Sequence, residues 1–409
     1  MWLLYSISMY FFVLGIRISA MWNPKSGQWL SGRKNWVSDL KKIPLKNDFR
    51  IWFHVSSLGE FEQARPVIEK IKEIRPATEI ILSFFSPSGF LQKRDYPYAT
   101  VLYLPADLPG NAKLWIQIID PDFAVFTKYD LWPGYLKALS EKKIPAILIS
   151  ANWIPGTISS WSNPLINGFL KEFKKIFLQR KDHLTAIQNL GFSNTQVSGD
   201  TRIDRSLELP AEVEVRLPEK LKVFGHFDLV AGSTWPDDEE ILSEVIEQLN
   251  LKTILAPHDV SPDNIARLIK SLKVPCVRLS ELKTFDEKIK IIIVDSIGLL
   301  SVLYAIGEIA YIGGGFGKGI HNSLEAMAHG KPIIFGPNFQ KFPEAVDMVA
   351  SQGAWSIRNK SELISVITQL RLPGKKEEAG RKNDLYIKEH AGATKIISDY
   401  ILKSIPYIA

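Results

Sequence analysis

A chain of 409 residues exceeds the ceiling of about 250–300 residues that one hydrophobic core serves, so two domains are expected. Its 46% apolar and 23% charged residues belong to an ordinary folded protein and exclude a disordered one. The lone Cys276 excludes an internal disulfide framework, the seven histidines form no zinc-binding spacing, and a net charge of +6 without a basic–aromatic module argues against nucleic acid as a partner.

From the N-terminus, Trp2 to Ile16 is almost wholly apolar, with Ser6 and Ser8 as the polar interruptions, and Arg17 ends the run. A cleaved signal peptide carries its positive charge before the apolar stretch, whereas here the charge follows it. Lys25, Arg33, Lys34, Lys41, Lys42, Lys46 and Arg50 face only Asp39 and Asp48 between Trp22 and Arg50. Such a basic segment suits anionic lipid headgroups. Residues 1–22 are therefore expected to be a single N-terminal membrane anchor, a short spanning helix in preference to one lying in the plane, with a buried helix of the globular part as the alternative. The remaining chain is expected on the cytoplasmic face of an inner membrane.

Beyond Arg50, apolar runs alternate with helix-length segments: Ile51–Val55, Glu79–Phe84, Thr100–Leu104, Phe123–Thr127, Ala146–Ser150, Phe177–Gln179 and Thr195–Gly199. The pattern restarts with Leu229–Ala231, Lys252–Ala256, Val277–Leu279, Ile291–Val294, Ile309–Ile312, Pro332–Phe335 and Ala354–Ser356. Strands joined by crossover helices predict an α/β fold of two Rossmann-like, doubly wound domains facing a cleft, with ligands at the strand C-termini. The boundaries read as 23–205 for an acceptor-binding domain, 206–227 for an aperiodic linker and 228–383 for a nucleotide-sugar-binding domain. Residues 384–409 read as a helix that packs back on the first domain.

The most informative local text is Tyr311–Pro337. A strand ends in Gly313-Gly314-Gly315, and a helix is expected from near His321. Glycines let backbone amides approach a ligand, and a helix N-terminus attracts phosphate. His321, Asn322 and Glu325 would share one helix face, where a carboxylate can accept from ribose hydroxyls. The segment fits neither a Walker A loop nor G-x-G-x-x-G, and a plain tight turn is the alternative. Gly232-Ser233-Thr234-Trp235 is a second such loop, its hydroxyls either holding phosphate or capping the next helix. Ser56-Ser57-Leu58-Gly59-Glu60 places a carboxylate after a strand, either as a general base or as complement to a helix dipole. Pro66 marks either a helix's first turn or a kink. Lys128-Tyr129-Asp130-Leu131-Trp132-Pro133 and Gly199-Asp200-Thr201-Arg202 also put charge where strands have just ended. Asp120-Pro121-Asp122 precedes a strand and reads as a turn, not a metal site.

In this order, HVSSLGE, KYDLWP, SANW, GDTRID, AGSTW, APH, DSIGLLSVLYAIGEIAYIGGG and HNSLE…GKPIIFGP resemble the Kdo transferase family, which adds 3-deoxy-manno-octulosonic acid to lipid A precursor. The resemblance spans roughly residues 50–345. It implies a metal-independent, inverting glycosyltransferase of the GT-B type with no cofactor, using CMP-Kdo as donor and lipid A precursor as acceptor in lipopolysaccharide core biosynthesis. By resemblance Glu60 is the catalytic base, and Asp130 and Arg202 support the transition state. The donor side is then Gly232, Ser233, Thr234, Pro257, His258, Gly313, Gly314, Gly315, Lys318, His321, Asn322, Ser323, Leu324 and Glu325. The acceptor side is Ser56, Ser57, Gly59 and Lys128. Departures fall at Pro257-His258-Asp259, where the family often has Pro-Arg-His, at Arg202 for Lys, at Lys318 for Arg, and at Lys128-Tyr129-Asp130 for Glu-Thr-Glu. They touch donor contacts and acceptor preference, because Arg and Lys bind carboxylates differently. The alternative function is a related transferase or epimerase using a UDP- or ADP-sugar.

Overall fold

The computed structural model describes residues 2–41, 43–128, 130–152, 164–283 and 286–405, with backbone alone for residues 2, 3 and 164–166. Lys42, Tyr129 and Trp153, named in the sequence reading, lie outside the described residues. The chain forms two compact units, residues 1–204 with 392–409, and residues 205–391.

The first unit is a parallel sheet of β1 (Arg50–Val55), β2 (Glu79–Phe84), β3 (Thr100–Tyr103), β4 (Phe123–Thr127), β5 (Ala146–Ala151), β6 (Lys175–Leu178) and β7 (Thr195–Val197), in the order β3-β2-β1-β4-β5-β6-β7. Strand order reverses between β1 and β4, which is where an open α/β sheet opens a crevice at its strand C-termini. Both faces are covered, so the strands read as continuous apolar runs. Alternation sorts their side chains: Trp52 packs with Trp115, Phe126 and Tyr135 on one face, while Ile51, Phe53 and Val55 pack with Phe61, Val67 and Ile71 on the other.

The second unit contains β8 (Phe227–Thr234), β9 (Thr253–Pro257), β10 (Cys276–Arg278), β11 (Ile291–Ile293), β12 (Gly307–Ile312), β13 (Ile333–Phe335) and β14 (Ala354–Ser356), in the order β10-β11-β9-β8-β12-β13-β14. Every strand read from the sequence appears, with ends that agree to within three residues. The segment taken for an aperiodic linker is instead largely helical, Thr201–Arg216 followed by Glu219–Lys222. Arg205–Glu208 and Arg216–Glu212 pairs at helical spacing supply the regularity that an apolar count misses. Pro66 sits inside the helix Leu58–Ile74, not in its first turn.

The helix Ala393–Lys403 belongs to the first unit. Its Ile397 and Ile401 join the core around Phe53 and Phe61, and Asp204 accepts from the backbone N–H groups of Gly392 and Thr394 at its start.

The N-terminal helix Trp2–Ser19 rests on the first unit. Met9 and Ser6 are buried, the Tyr5 hydroxyl donates to Asp107 Oδ2 at 2.7 Å, and Phe12 stands 6.1 Å from the rings of Trp29 and Phe85. Burial pushes the Asp107 carboxyl up to about 6. The outer side stays apolar and open, with Leu4 72% and Phe11 68% exposed, as is Trp22 just beyond the helix. Among the described residues no helix is long and apolar enough to cross a membrane. Of the basic segment, Arg33 is buried and donates to the carbonyls of Trp29, Phe85 and Leu104, Arg50 pairs with Glu79, and Lys46 with Asp122. Those three serve the fold, while Lys25, Lys34 and Lys41 are exposed.

Candidate active site

At the end of β1 the chain turns into the helix Leu58–Ile74 through Ser56 and Ser57. Ser57 is the N-cap and Glu60 the third helical residue, so the two form a reciprocal capping box. Ser57 N–H donates to Glu60 Oε2 at 2.9 Å and Ser56 N–H to the same oxygen at 2.6 Å. Asp130 follows β4, the neighbour of β1, and arrives beside them. Its Oδ2 accepts from Ser56 N–H at 2.7 Å and its Oδ1 from the Ser56 hydroxyl at 2.5 Å. Burial, and then the charge of Glu60, raise the Asp130 carboxyl well above the usual range. Thus Glu60 caps its helix, as the dipole reading has it, and also stands against a second carboxyl.

Behind them lies His54, fully buried. Trp132 Nε1–H donates to His54 Nε2 at 2.9 Å, which leaves Nδ1 to carry the proton and donate to Ser83 Oγ at 2.8 Å. Burial lowers its pKa to about 3, so the imidazole is neutral and its 3.7 Å approach to Asp130 is no ion pair. Lys128 ends β4 with φ +60°, in the left-handed region. After β7, where Thr201 Oγ1 donates to Gln63 O in the helix that carries Glu60, Arg202 grips Asp200 through Nε at 3.0 Å and through a second nitrogen at 2.6 Å. Burial alone would raise Asp200, but Arg202 outweighs it, helped by Lys128, and holds the carboxylate below its usual range. Gly59 has open space at its Cβ position except for Ser57 Oγ at 3.9 Å. Asp122 and Asp120 of the discounted Asp-Pro-Asp accept from Lys46, and Asp122 also from Arg50 N–H at 2.8 Å.

In the second unit the candidate donor residues gather at the ends of β9, β8 and β12, three neighbouring strands. His258 N–H donates to Thr234 O at 2.9 Å and Gly313 N–H to Gly232 O at 2.8 Å. Neither Ser233 nor Thr234 is the N-cap of the following helix, Pro236–Leu249: that position is Trp235, while Thr234 Oγ1 donates to Glu239 at 3.1 Å. Three rings stack here, Trp235 on His258 at 4.7 Å and His258 on His321 at 4.5 Å, with Trp235 Nε1–H donating to His321 Nε2 at 3.0 Å. Burial lowers His321 to about 4, so it is neutral.

The glycines have a second reason for being glycines. A Cβ on Gly313 would sit 2.3 Å from Ser233 O, and one on Gly315 would sit 2.6 Å from Gly336 N. Gly314 has φ +89° and gives its N–H to Asp238 at 2.8 Å. Backbone thus approaches backbone within the unit. The helix expected from His321 begins only at Leu324 and ends at Ala328, and His321 N–H donates to Gly313 O at 3.1 Å. Asn322 still reaches Glu325 Oε1 at 3.1 Å. Ser323 and Leu324 are buried, and Lys318 is exposed on the loop.

Sequence reasoning assigned no role to Asp238, which ties Trp235 N–H, Gly314 N–H and the Tyr311 hydroxyl together. An acidic residue three after the residue preceding a helix is the visible signal for it. His54 was equally unassigned, since a lone histidine within a strand gives no sign that it abuts a carboxyl. Among the described residues no group of three or more His, Cys, Asp or Glu is placed to hold a metal ion.

The family profile of 3-deoxy-D-manno-octulosonic-acid transferase (kdotransferase) matches residues 29–205. A 3-deoxy-D-manno-octulosonic acid transferase of Rickettsia bellii is 28% identical over 370 residues, covering 87% of both chains. One from Aquifex aeolicus is 27% identical, covering 80% of this chain and 87% of its own. Among solved structures, the UDP-GlcNAc 2-epimerase of Neisseria meningitidis bound to UDP-GlcNAc superposes with a TM-score of 0.62 at 16% identity, over 87% of this chain and all of its own. That likeness is one of fold.

Proposed function

We propose that this chain, similar to the Kdo transferases, is a glycosyltransferase that moves Kdo from CMP-Kdo to a lipid A precursor with inversion. The observation that carries this is the carboxylate of Glu60, held at a helix N-terminus against Asp130 at the one place where the first sheet reverses its strand order. Glu60 takes the acceptor hydroxyl's proton as that oxygen attacks the anomeric carbon and the C–O bond to the CMP phosphate breaks, its electron pair leaving with CMP. In the second unit the loops after β8, β9 and β12 hold the nucleotide, with Glu325 and Asn322 for the ribose. Incubating the protein with CMP-Kdo and lipid A precursor in chelator, and weighing the lipid by mass spectrometry, should show the mass of one or more Kdo residues. No gain by folded protein that instead turns over a UDP-sugar would replace this reading with the epimerase-like one.

The acceptor is a lipid, and the N-terminal helix supports a place for the protein on the cytoplasmic face of the inner membrane. In this reading the helix lies in the membrane plane, its inner side on the first unit and Leu4, Phe11 and Trp22 in the bilayer. Exposed Lys25, Lys34 and Lys41 then meet anionic headgroups. Changing both Leu4 and Phe11 to Asp removes roughly 1.5–3 kcal/mol of burial per side chain. Binding to anionic phospholipid vesicles in a flotation assay should fall about tenfold or more. Unchanged flotation would place the membrane contact elsewhere.

A further inference from the structure

Glu60 and Asp130 accept from the same backbone N–H, that of Ser56, at 2.6 and 2.7 Å, so their oxygens lie within a few ångströms of one another. Two full negative charges so close in a buried place repel strongly. The positive groups nearby do not relieve this. His54, from β1, is neutral, its Nε2 lone pair taken by Trp132 Nε1–H and its protonated nitrogen facing Ser83, so it brings Asp130 no positive charge. Lys128, at the end of β4, lies toward Asp200, which Arg202 already engages. What neutralises the pair is a proton, and the surroundings differ enough to say where it resides. Glu60 Oε2 takes two backbone N–H donors at the start of a helix, a setting that favours the anion. Asp130 is more deeply enclosed, with the carboxylate of Glu60 in hydrogen-bonding reach.

We propose that Glu60 and Asp130 hold one proton between them, resident on Asp130, so that Glu60 is the sole anion of the pair and accepts a hydrogen bond from its neighbour. This rests on the reading of Glu60 as the base. In the transfer step the acceptor's O–H bond breaks and its proton passes to Glu60, the oxygen's electron pair forms the bond to the anomeric carbon, and the pair of the broken C–O bond leaves with CMP. The dyad goes from one negative charge to none and never carries two. Asp130 is a positioning residue here: it gives a hydrogen bond to Glu60 and does not itself take the acceptor's proton.

Infrared difference spectra of the full-length protein against pH, without substrates, test the idea independently of any transfer assay. At neutral pH the wild-type minus Asp130→Asn spectrum should contain a protonated-carboxyl band. In Glu60→Gln the Asp130 band should titrate at lower pH, since the neighbouring charge is gone. No such band, or a titration unmoved by Glu60→Gln, overturns the proposal. Should Asp130→Asn fail to fold, wild-type protein carrying isotope-labelled aspartate serves instead: the band must shift with the label and respond to Glu60→Gln. In kinetics, Asp130→Asn, which still donates a hydrogen bond, should lose about tenfold, and Asp130→Leu about a hundredfold or more. Equal losses would leave Asp130 a purely structural part. A wild-type chain that shows the band but transfers no Kdo would refute the donor and not the dyad.

Discussion

Glu60→Gln should lower the turnover of Kdo transfer about 100- to 10,000-fold, the range that loss of a general base produces, while the thermal midpoint stays where it was. The reason is specific to where the base sits. Glu60 Oε2 accepts from Ser56 N–H and Ser57 N–H, closing the capping box of the helix Leu58–Ile74. A glutamine oxygen accepts the same two bonds, and glutamine is a natural partner in that box. Alanine abandons both, at a cost of about 0.5–2 kcal/mol for a lost cap, so Glu60→Ala mixes damage to the fold with loss of the base. Stopped assays with CMP-Kdo, paired with calorimetry, separate the two effects. Turnover by Glu60→Gln within about tenfold of wild type would put the base elsewhere.

The second large effect is expected at Gly315. An alanine there drives its Cβ to 2.6–2.9 Å from the N, Cα and C of Gly336, all rigid backbone at the junction of two strand ends. Overpacking of a core costs about 1–3 kcal/mol where side chains can yield, and here nothing flexible is in the way. A loss of about 3 kcal/mol lowers the melting temperature of a unit this size by roughly 6–12 °C. Nucleotide affinity should fall with it. Gly317→Ala, two residues on, is the built-in control: its Cβ would meet only Gly314 O, at 3.7 Å. Calorimetry of the two variants should show a large drop for the first and almost none for the second. Equal behaviour would mean that the loop's glycines are not there for close backbone packing.

These two sites show what could be read from the residues and what could not. Apolar runs such as Ile51–Val55 and Ile309–Ile312 announce strands because a parallel sheet buried on both faces needs apolar residues at every position. Candidate site residues came into view because loops after strands hold charge and glycine, as at Ser56–Glu60 and Gly313–Gly315. The helix Thr201–Arg216 stayed hidden because its inward stripe, Ile203, Ser206 and Leu209, is thin and is interrupted by a serine and by Pro210, while ion pairs occupy the rest. The helix start at Leu324, three residues beyond His321, carries no clear capping signal in the local text. The meeting of Asp130 with Glu60 across seventy residues, and the neutrality of His54 behind them, are products of strand order, which local text does not carry.

The contribution of Ile397 and Ile401 to the core around Phe53 has a consequence for how the protein is made. Residues 205–391 form an unbroken stretch of chain, so the second unit can fold as soon as it clears the ribosome. The first unit is synthesised earlier yet waits longer, because one wall of its interior is a helix translated after the whole second unit. A chain cut short before residue 392 therefore carries a finished second unit beside an unfinished first unit bearing Glu60, with apolar surface exposed for proteases and chaperones to find. Arrival of the helix Ala393–Lys403 and completion of the core beneath Glu60 become a single event.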